Sequence, residues 1–295
     1  GFDWKFVIER AEELDCKKEF LKMSKNKGET CMVKKSSVTV ASGTHELQYV
    51  RDFQAGTLDP KAAREIGLPW STGLRDRTIL ALGGSIKTCE LAKEYGLASH
   101  LAGGTHHAYR DHGSGFCIYN DLAVSARYLV NQGLASRVLI FDCDVHQGDG
   151  TASILAHDAQ VFTCSIHAEK NFPVRKVASD LDVNCPDGMT DDDYLALVFE
   201  TLESLIAGWH PDFVIYDAGS DVHVDDALGR LSITTDGLYR RDYGVLSRVR
   251  GASIPCATVI GGGYDKDRAR VAERHGISVS AAASIFPDKL VGNTV

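Results

Sequence analysis

VLIFDCDVHQGDG, residues 138–150, changes character halfway along its length. Four apolar residues of strand length run into alternating acids and then a Gly/Asp turn, the pattern of a buried strand whose carboxyl end is polar. The same grammar recurs on either side. Strands are expected around 99–102, 137–143, 160–166, 212–217 and 255–260, with helices at 120–133, 192–208, 236–250 and 265–276. Strands alternating with helices predict an α/β fold: a single domain with a mostly parallel central sheet and helices on both faces. Ligands of such sheets bind beyond the carboxyl ends of the strands. GGTHH follows the first of these strands, DCDVH ends the second, SIH the third and DAGSD the fourth, and GGGY follows the fifth. Five polar clusters therefore converge on one edge, a stronger signal than any of them alone.

At 295 residues the chain can bury a large core. Apolar runs such as VLIF at 138–141 and FVIY at 213–216 have strand length, far short of the roughly 20 residues a membrane span needs. A formal net charge of −8 argues against a surface built to neutralise nucleic-acid phosphates and suits a cationic partner better. The eight cysteines are dispersed without a CxxC pair, and Cys143 and Cys164 sit inside strand-like runs. Reduced, buried thiols in an intracellular, reducing compartment are expected, with nucleus, cytoplasm and organelle equally open. The chain starts at Gly1 with no signal-peptide pattern, which leaves a removed targeting segment compatible with it.

Residues 1–44 read differently from the rest. GFDWKFVIERAEELDCKKEF has helical spacing of apolar residues, and KKEFLKMSKNKGETCMVKK is lysine-rich without an apolar face. A peripheral helix and a charged loop are expected there, preceding or packed on a catalytic domain at 45–295.

Asp144 and His146 are one residue apart, so an extended strand end places both on one face. Asp221, arriving from another strand end, completes two carboxylates and one imidazole. That set leaves a coordination position open, as catalytic zinc requires, and an ion there would polarise a carbonyl and acidify bound water. Taken alone, DxDxH reads equally well as turn-capping residues, and His223, two residues from Asp221, competes as a ligand. His106 and His107 follow a glycine pair in a tight turn, where each needs an orienting carboxylate; Asp142 and Asp149 are available. In GGGYD, three glycines including Gly262 let the backbone approach a ligand, and the Tyr264 phenol can donate to a developing oxyanion. A phosphate loop is the competing reading, but GxGxxG spacing and a Lys-Ser/Thr ending are missing. Phe116 in GSGFCIYND, ahead of a helix start at Asn120 or Asp121, and Phe172 in KNFP could wall a narrow apolar channel; core packing is the alternative for each.

In order and spacing, GGTHHAYRDHGSGFCIYNDLAVSARYL, VLIFDCDVHQGDGTA, FTCSIH, DAGSDVHVDDALGRLSIT and VIGGGY resemble the zinc-dependent histone deacetylases of the arginase/deacetylase fold, over about residues 45–280. The DxLGxLSIT and EKNFP stretches look more like class IV and bacterial deacetylase-like proteins than class I enzymes. The resemblance implies that Asp144, His146 and Asp221 bind zinc and that Tyr264 polarises the acyl carbonyl. It also implies His107, backed by Asp149, as general base and His106, backed by Asp142, as electrostatic partner near the leaving amine; His107 is also a candidate to protonate that amine. A structural potassium ion would sit on Asp142 and Ser165 side chains and the carbonyls of Asp144, His146 and Ile166. Gly115, Phe116 and Phe172 would line an acyl-lysine tunnel, with Gly262 beside the substrate. The implied activity is removal of acetyl or longer acyl groups from lysine ε-amines in proteins such as histones, with a role in chromatin regulation. A charged lysine must lose its charge to enter an apolar channel, and acylation does that. Acetylpolyamines and other small amides fit the same chemistry. A di-manganese ureohydrolase would need further bridging carboxylates, with Asp rather than His at 223, and a catalytically weak acyl-lysine-binding subunit is the alternative outside enzymes. Two features depart from the pattern: no HPxxH-like stretch or opening strand precedes the domain, and Val222 stands where many relatives have proline. Oligomeric state is left open.

Overall fold

A computed structural model describes residues 41–285. The expectations for residues 1–40 lie outside that range. Three helices come first: α1 (Leu47–Ala55), α2 (Pro60–Ile66) and α3 (Thr72–Tyr95). Then follow β1 (Leu97–Ser99), α4 (Asp121–Asn131), β2 (Val138–Asp142), α5 (Asp149–Leu155), β3 (Val161–Ala168), β4 (Leu181–Cys185), α6 (Asp191–Trp209), β5 (Phe213–Asp217), α7 (Thr235–Gly251), β6 (Cys256–Val259) and α8 (Arg268–Ile285). The six strands form one sheet in the order β1-β6-β5-β2-β3-β4, and every pairing is parallel.

Both faces of the sheet are covered, as its uniformly apolar central strands demand. Along β2, Leu139 and Phe141 face one way, into a core with Tyr194, Val198 and Leu202 of α6 and Val245 and Val249 of α7. Val138 and Ile140 face the other way, against Leu122, Ala126 and Leu129 of α4 and Leu155 of α5. A third cluster joins Tyr49, Val50 and Phe53 of α1 to Ile118 and Tyr119, and Ala41 is fully buried within it.

The expected strands and helices are present, and the α/β architecture is as read. β1 lies earlier than expected, and residues 100–105 form an irregular lead into the histidine pair, with Gly103 and Gly104 in the left-handed region. The edge strand β4 and helices α1–α3 and α5 had not been anticipated. Helix α4 starts where GSGFCIYND suggested: Asn120 caps it, its side chain accepting from the Ala123 amide at 2.9 Å. The cysteines among the described residues are buried and unpaired, and no helix there is long and apolar enough to cross a membrane.

Candidate active site

Parallel register sets the floor of the site. At the carboxyl end of β2, Asp142 stands level with Ser165 of β3 and Asp217 of β5. Just beyond, the β2 and β5 loops carry Asp144, His146 and Asp221, whose donor atoms lie within 4.8 Å of one another and are buried. His146 Nδ1 is 3.0 Å from both Asp144 Oδ1 and Asp221 Oδ2. Local turns hold the set: Asp144 Oδ1 accepts from the His146 amide at 2.9 Å, and Asp221 Oδ1 from the Val145 amide at 2.8 Å. The Gly262 amide donates to Asp144 Oδ2 at 2.6 Å, and a Cβ on Gly262 would collide with Asp221 Oδ2. Only glycine lets this backbone close the cup.

Electrostatics point the same way. Burial, reinforced by the Asp144 charge, lifts the Asp221 carboxyl to about 7, whereas His106 and His146 outweigh burial and hold Asp144 well below the usual carboxylate range. Two buried carboxylates against one imidazole, with room refused to any side chain at 262, fit a bound divalent cation.

The histidine pair divides into two dyads of opposite character. His106 Nδ1 lies 2.7 Å from Asp142 Oδ2, and His107 Nδ1 2.7 Å from Asp149 Oδ1. Burial alone would lower the His106 pKa, but Asp142 and Asp144 overcome it and hold the ring well above its ordinary value. Burial and the neighbouring His106 charge instead press His107 down to about 4. Their surroundings therefore push the two imidazoles in opposite directions, His106 toward its charged form and His107 toward its neutral one. Asn120 pins their turn by donating to the His106 and Ala108 carbonyls at 3.2 and 3.1 Å, and His45 accepts from the Asn120 amide at 2.9 Å. Asp121 accepts from the Thr105 amide at 2.7 Å just upstream.

Tyr264 closes the opposite side, with its ring 6.1 Å from both His146 and Phe116. Phe172 stands edge-on to His107 at 4.8 Å. Phe116 and Phe172 are 48% and 41% exposed, so they form a mouth rather than core. Gly115 explains how the mouth fits: a Cβ there would come 2.6 Å from the His107 ring, and Phe116 itself takes a left-handed backbone, φ 65°.

Residues 7–279 match the histone deacetylase domain. The chain belongs to the histone deacetylase family. It is thus a member of a family of deacetylase hydrolases. An uncharacterized protein of Picosynechococcus is 52% identical over 242 residues, covering 82% of this chain and 81% of its own. Histone deacetylase 2 of Arabidopsis thaliana is 36% identical over 193 residues, 64% of this chain and 50% of its own. The acetoin utilization protein AcuC of Bacillus subtilis is 32% identical over 207 residues, 64% of this chain and 53% of its own. Matches thus span about half the length of these two named relatives.

Within this histone deacetylase domain several positions left open by the sequence can now be placed. His223 is not a ligand of the cup: its ring nitrogens face Thr235 Oγ1 and the Asp225 amide, both at 3.1 Å. Val222 is fully buried in the core, which absorbs the missing proline. Of the residues expected to hold potassium, Ser165 Oγ lies 3.1 Å from His167 Nδ1, and Ile166 is buried in β3.

Other residues that serve the site were missed. Tyr109 donates to Asp149 Oδ2 at 2.8 Å, behind His107. Fully buried Arg241 of α7 donates to the carbonyls of Gly219, Ala218 and Cys143 at 2.7, 3.1 and 3.3 Å, bracing the loops that carry Asp144 and Asp221. Asp217 groups with His106 and Asp142 within 4.8 Å, yet neither of its oxygens has a partner among the described residues. Burial, then the charges of Asp142 and Asp144, push its carboxyl well above the ordinary value. Asp217 was legible only as the first acid of DAGSD, where it reads as a strand end.

Proposed function

We propose that this domain is a zinc-dependent amidohydrolase that removes acetyl or longer acyl groups from lysine ε-amines, in proteins such as histones. The observation that carries the reading is the meeting of three elements at one aromatic mouth: a buried Asp-His-Asp cup, two His-Asp dyads, and a tyrosine across from them. Asp144, His146 and Asp221 would hold the ion, which when bound polarises an amide carbonyl and lowers the pKa of water. Neutral His107, its Nδ1–H turned to Asp149, presents Nε2 as the base for the attacking water. Charged His106 stabilises negative charge developing beside it and restrains His107 from protonating early. Tyr264 keeps its proton and donates a hydrogen bond from its phenol O–H to the carbonyl oxygen as that oxygen gains charge. His107, having taken a proton, returns it to the leaving amine. Phe116 and Phe172 hold the uncharged acyl-lysine stem between them and exclude water.

A potassium ion on Asp142, Ser165 and the carbonyls of Asp144, His146 and Ile166 would steady the floor. The deciding experiment is acyl release by zinc-loaded protein from acetyl-, crotonyl- and myristoyl-lysine peptides and from acetylputrescine, with and without a hydroxamate. Hydroxamate-sensitive release from the peptides, with one zinc per chain, is expected. Release from acetylputrescine alone would move the substrate class to polyamines. Two transition ions per chain, or peptide binding without turnover, would overturn the reading.

A further inference from the structure

The loop that leaves Asp221 turns back on itself, and one carboxylate organises the turn. The Asp226 side chain is fully buried. Its Oδ1 accepts from the amides of Leu228 and Gly229 at 2.9 and 3.0 Å, and its Oδ2 from the amide of Tyr264 at 2.6 Å. The neighbouring Ala227 amide donates to the Tyr264 carbonyl at 3.0 Å. Both main-chain polar groups of Tyr264 are thus held by residues 226 and 227.

Beneath this junction lies Arg274 of α8, its side chain only 6% exposed. Nη1 is 3.8 Å from Asp226 Oδ2, and Nη2 donates to Asp265 Oδ2 at 2.7 Å. The guanidinium therefore reaches both carboxylates, one bonded to Tyr264 and one following it in the chain. Asp226 is a buried charge stabilised by three amides and a cation, which is how such a charge is tolerated. Its partner amides belong to different parts of the site: Tyr264 on the oxyanion side and Leu228 at the mouth, where Asn171 donates to the Leu228 carbonyl at 2.9 Å next to Phe172.

No hydrogen bond among the described residues holds the Tyr264 phenol; its nearest ring neighbours stand at 6.1 Å. The direction of that phenol is therefore inherited from its main chain. A small rotation of the backbone at 264 is magnified at the hydroxyl, and misplacement by about 1 Å can cost on the order of a hundredfold in rate.

We infer that Asp226, backed by Arg274, is the positioning residue that aims Tyr264 at the reacting carbonyl. The inference rests on the oxyanion role proposed for Tyr264. It assigns work to a charged pair that touches neither metal cup nor histidine dyads, and it explains why a carboxylate is buried behind the mouth.

A double-mutant cycle tests it on the zinc-loaded domain with an acetyl-lysine peptide. Asp226→Asn keeps the side-chain volume but loses an acceptor, and is expected to lower kcat by about tenfold or more with KM within about twofold, the signature of an interaction made in the transition state. In a Tyr264→Phe background the same substitution is expected to cost almost nothing further, since there is no hydroxyl left to aim. Arg274→Gln should follow the same pattern more weakly, with Arg274→Lys recovering part of the loss. An Asp226→Asn loss that is equal in both backgrounds, or that falls on KM alone, overturns the positioning role while leaving the proposed function standing. Unchanged kcat in Tyr264→Phe by itself overturns the oxyanion reading and the inference with it. If Asp226→Asn does not fold, the Arg274→Gln cycle decides by the same criterion.

Discussion

The floor of the site and its mouth are built by different rules. Asp144, His146, Asp221, His106 and His107 are at most 5% exposed, and hydrogen bonds of 2.6–3.0 Å from separate strands and loops bear on this floor. Phe116, Phe172 and Leu228 are 48%, 41% and 46% exposed, and their side chains are held by ring contacts and main-chain ties. A floor held from several directions tolerates no change in geometry, whereas the mouth can exchange side chains at small cost. In the proposed reading the first sets the reaction type and the second the substrate preference.

The comparison breaks most readily at the floor. Replacing His107 with Ala is expected to reduce kcat by about 10²- to 10⁴-fold with zinc retained, whereas Asp221→Ala should lose activity and bound zinc together; metal analysis beside the rate separates the two. Tyr264→Phe should lower kcat by about 10²- to 10³-fold in a steady-state assay and leave hydroxamate-free substrate binding little altered. A change in KM with kcat intact would move Tyr264 from the floor to the mouth.

Acid attacks the floor from beneath. Burial lowers the His45 pKa to about 4, so the unfolded chain binds more protons than the folded one between that value and about 6.5. Its stabilising effect is complete above that window and declines as pH falls through it. Urea unfolding should show a loss of about 2 kcal/mol from this residue between pH 7 and pH 5, and His45→Gln should make the pH dependence shallower. A slope unchanged by that substitution would remove His45 from the account. The smallest effect belongs to the mouth: Phe172→Ala should shift the ratio of kcat/KM for acetyl- and longer acyl-lysine peptides by about fivefold without changing unfolding stability measurably.

Much of this division was legible before any coordinates. VLIFD and FVIYD announce buried parallel strands because nothing in them needs water, and the polar residues after them could only collect at one edge. LDVNC at 181–185 escaped notice because β4 is an edge strand, half-buried and punctuated by Asp and Asn. Helix α3 was hidden by Gly83 and Gly84, poor helix formers retained where the helix passes close to His100, whose ring a Cβ on Gly84 would strike. At the site, the Asp and His residues of the cup and the dyads carry a sequence signature, because DCDVH, DAGSD and GGTHH fall together at one edge of the sheet even though each alone reads equally well as a turn. Groups that act through others do not. Asp226 looks like one more loop acid, Arg241 like a surface cation on a helix, and Tyr109 like an ordinary aromatic, until folding shows what each one holds.

Arg241 also bears on how the domain is handled. Because one guanidinium ties the carbonyls of Cys143, Ala218 and Gly219 together, protein contacts alone hold the outline of the cup. With zinc in the cup, as proposed, the domain is a prebuilt socket: chelated protein should retain its fold and accept cobalt instead, turning a colourless centre into one that can be watched by its visible spectrum as substrate arrives.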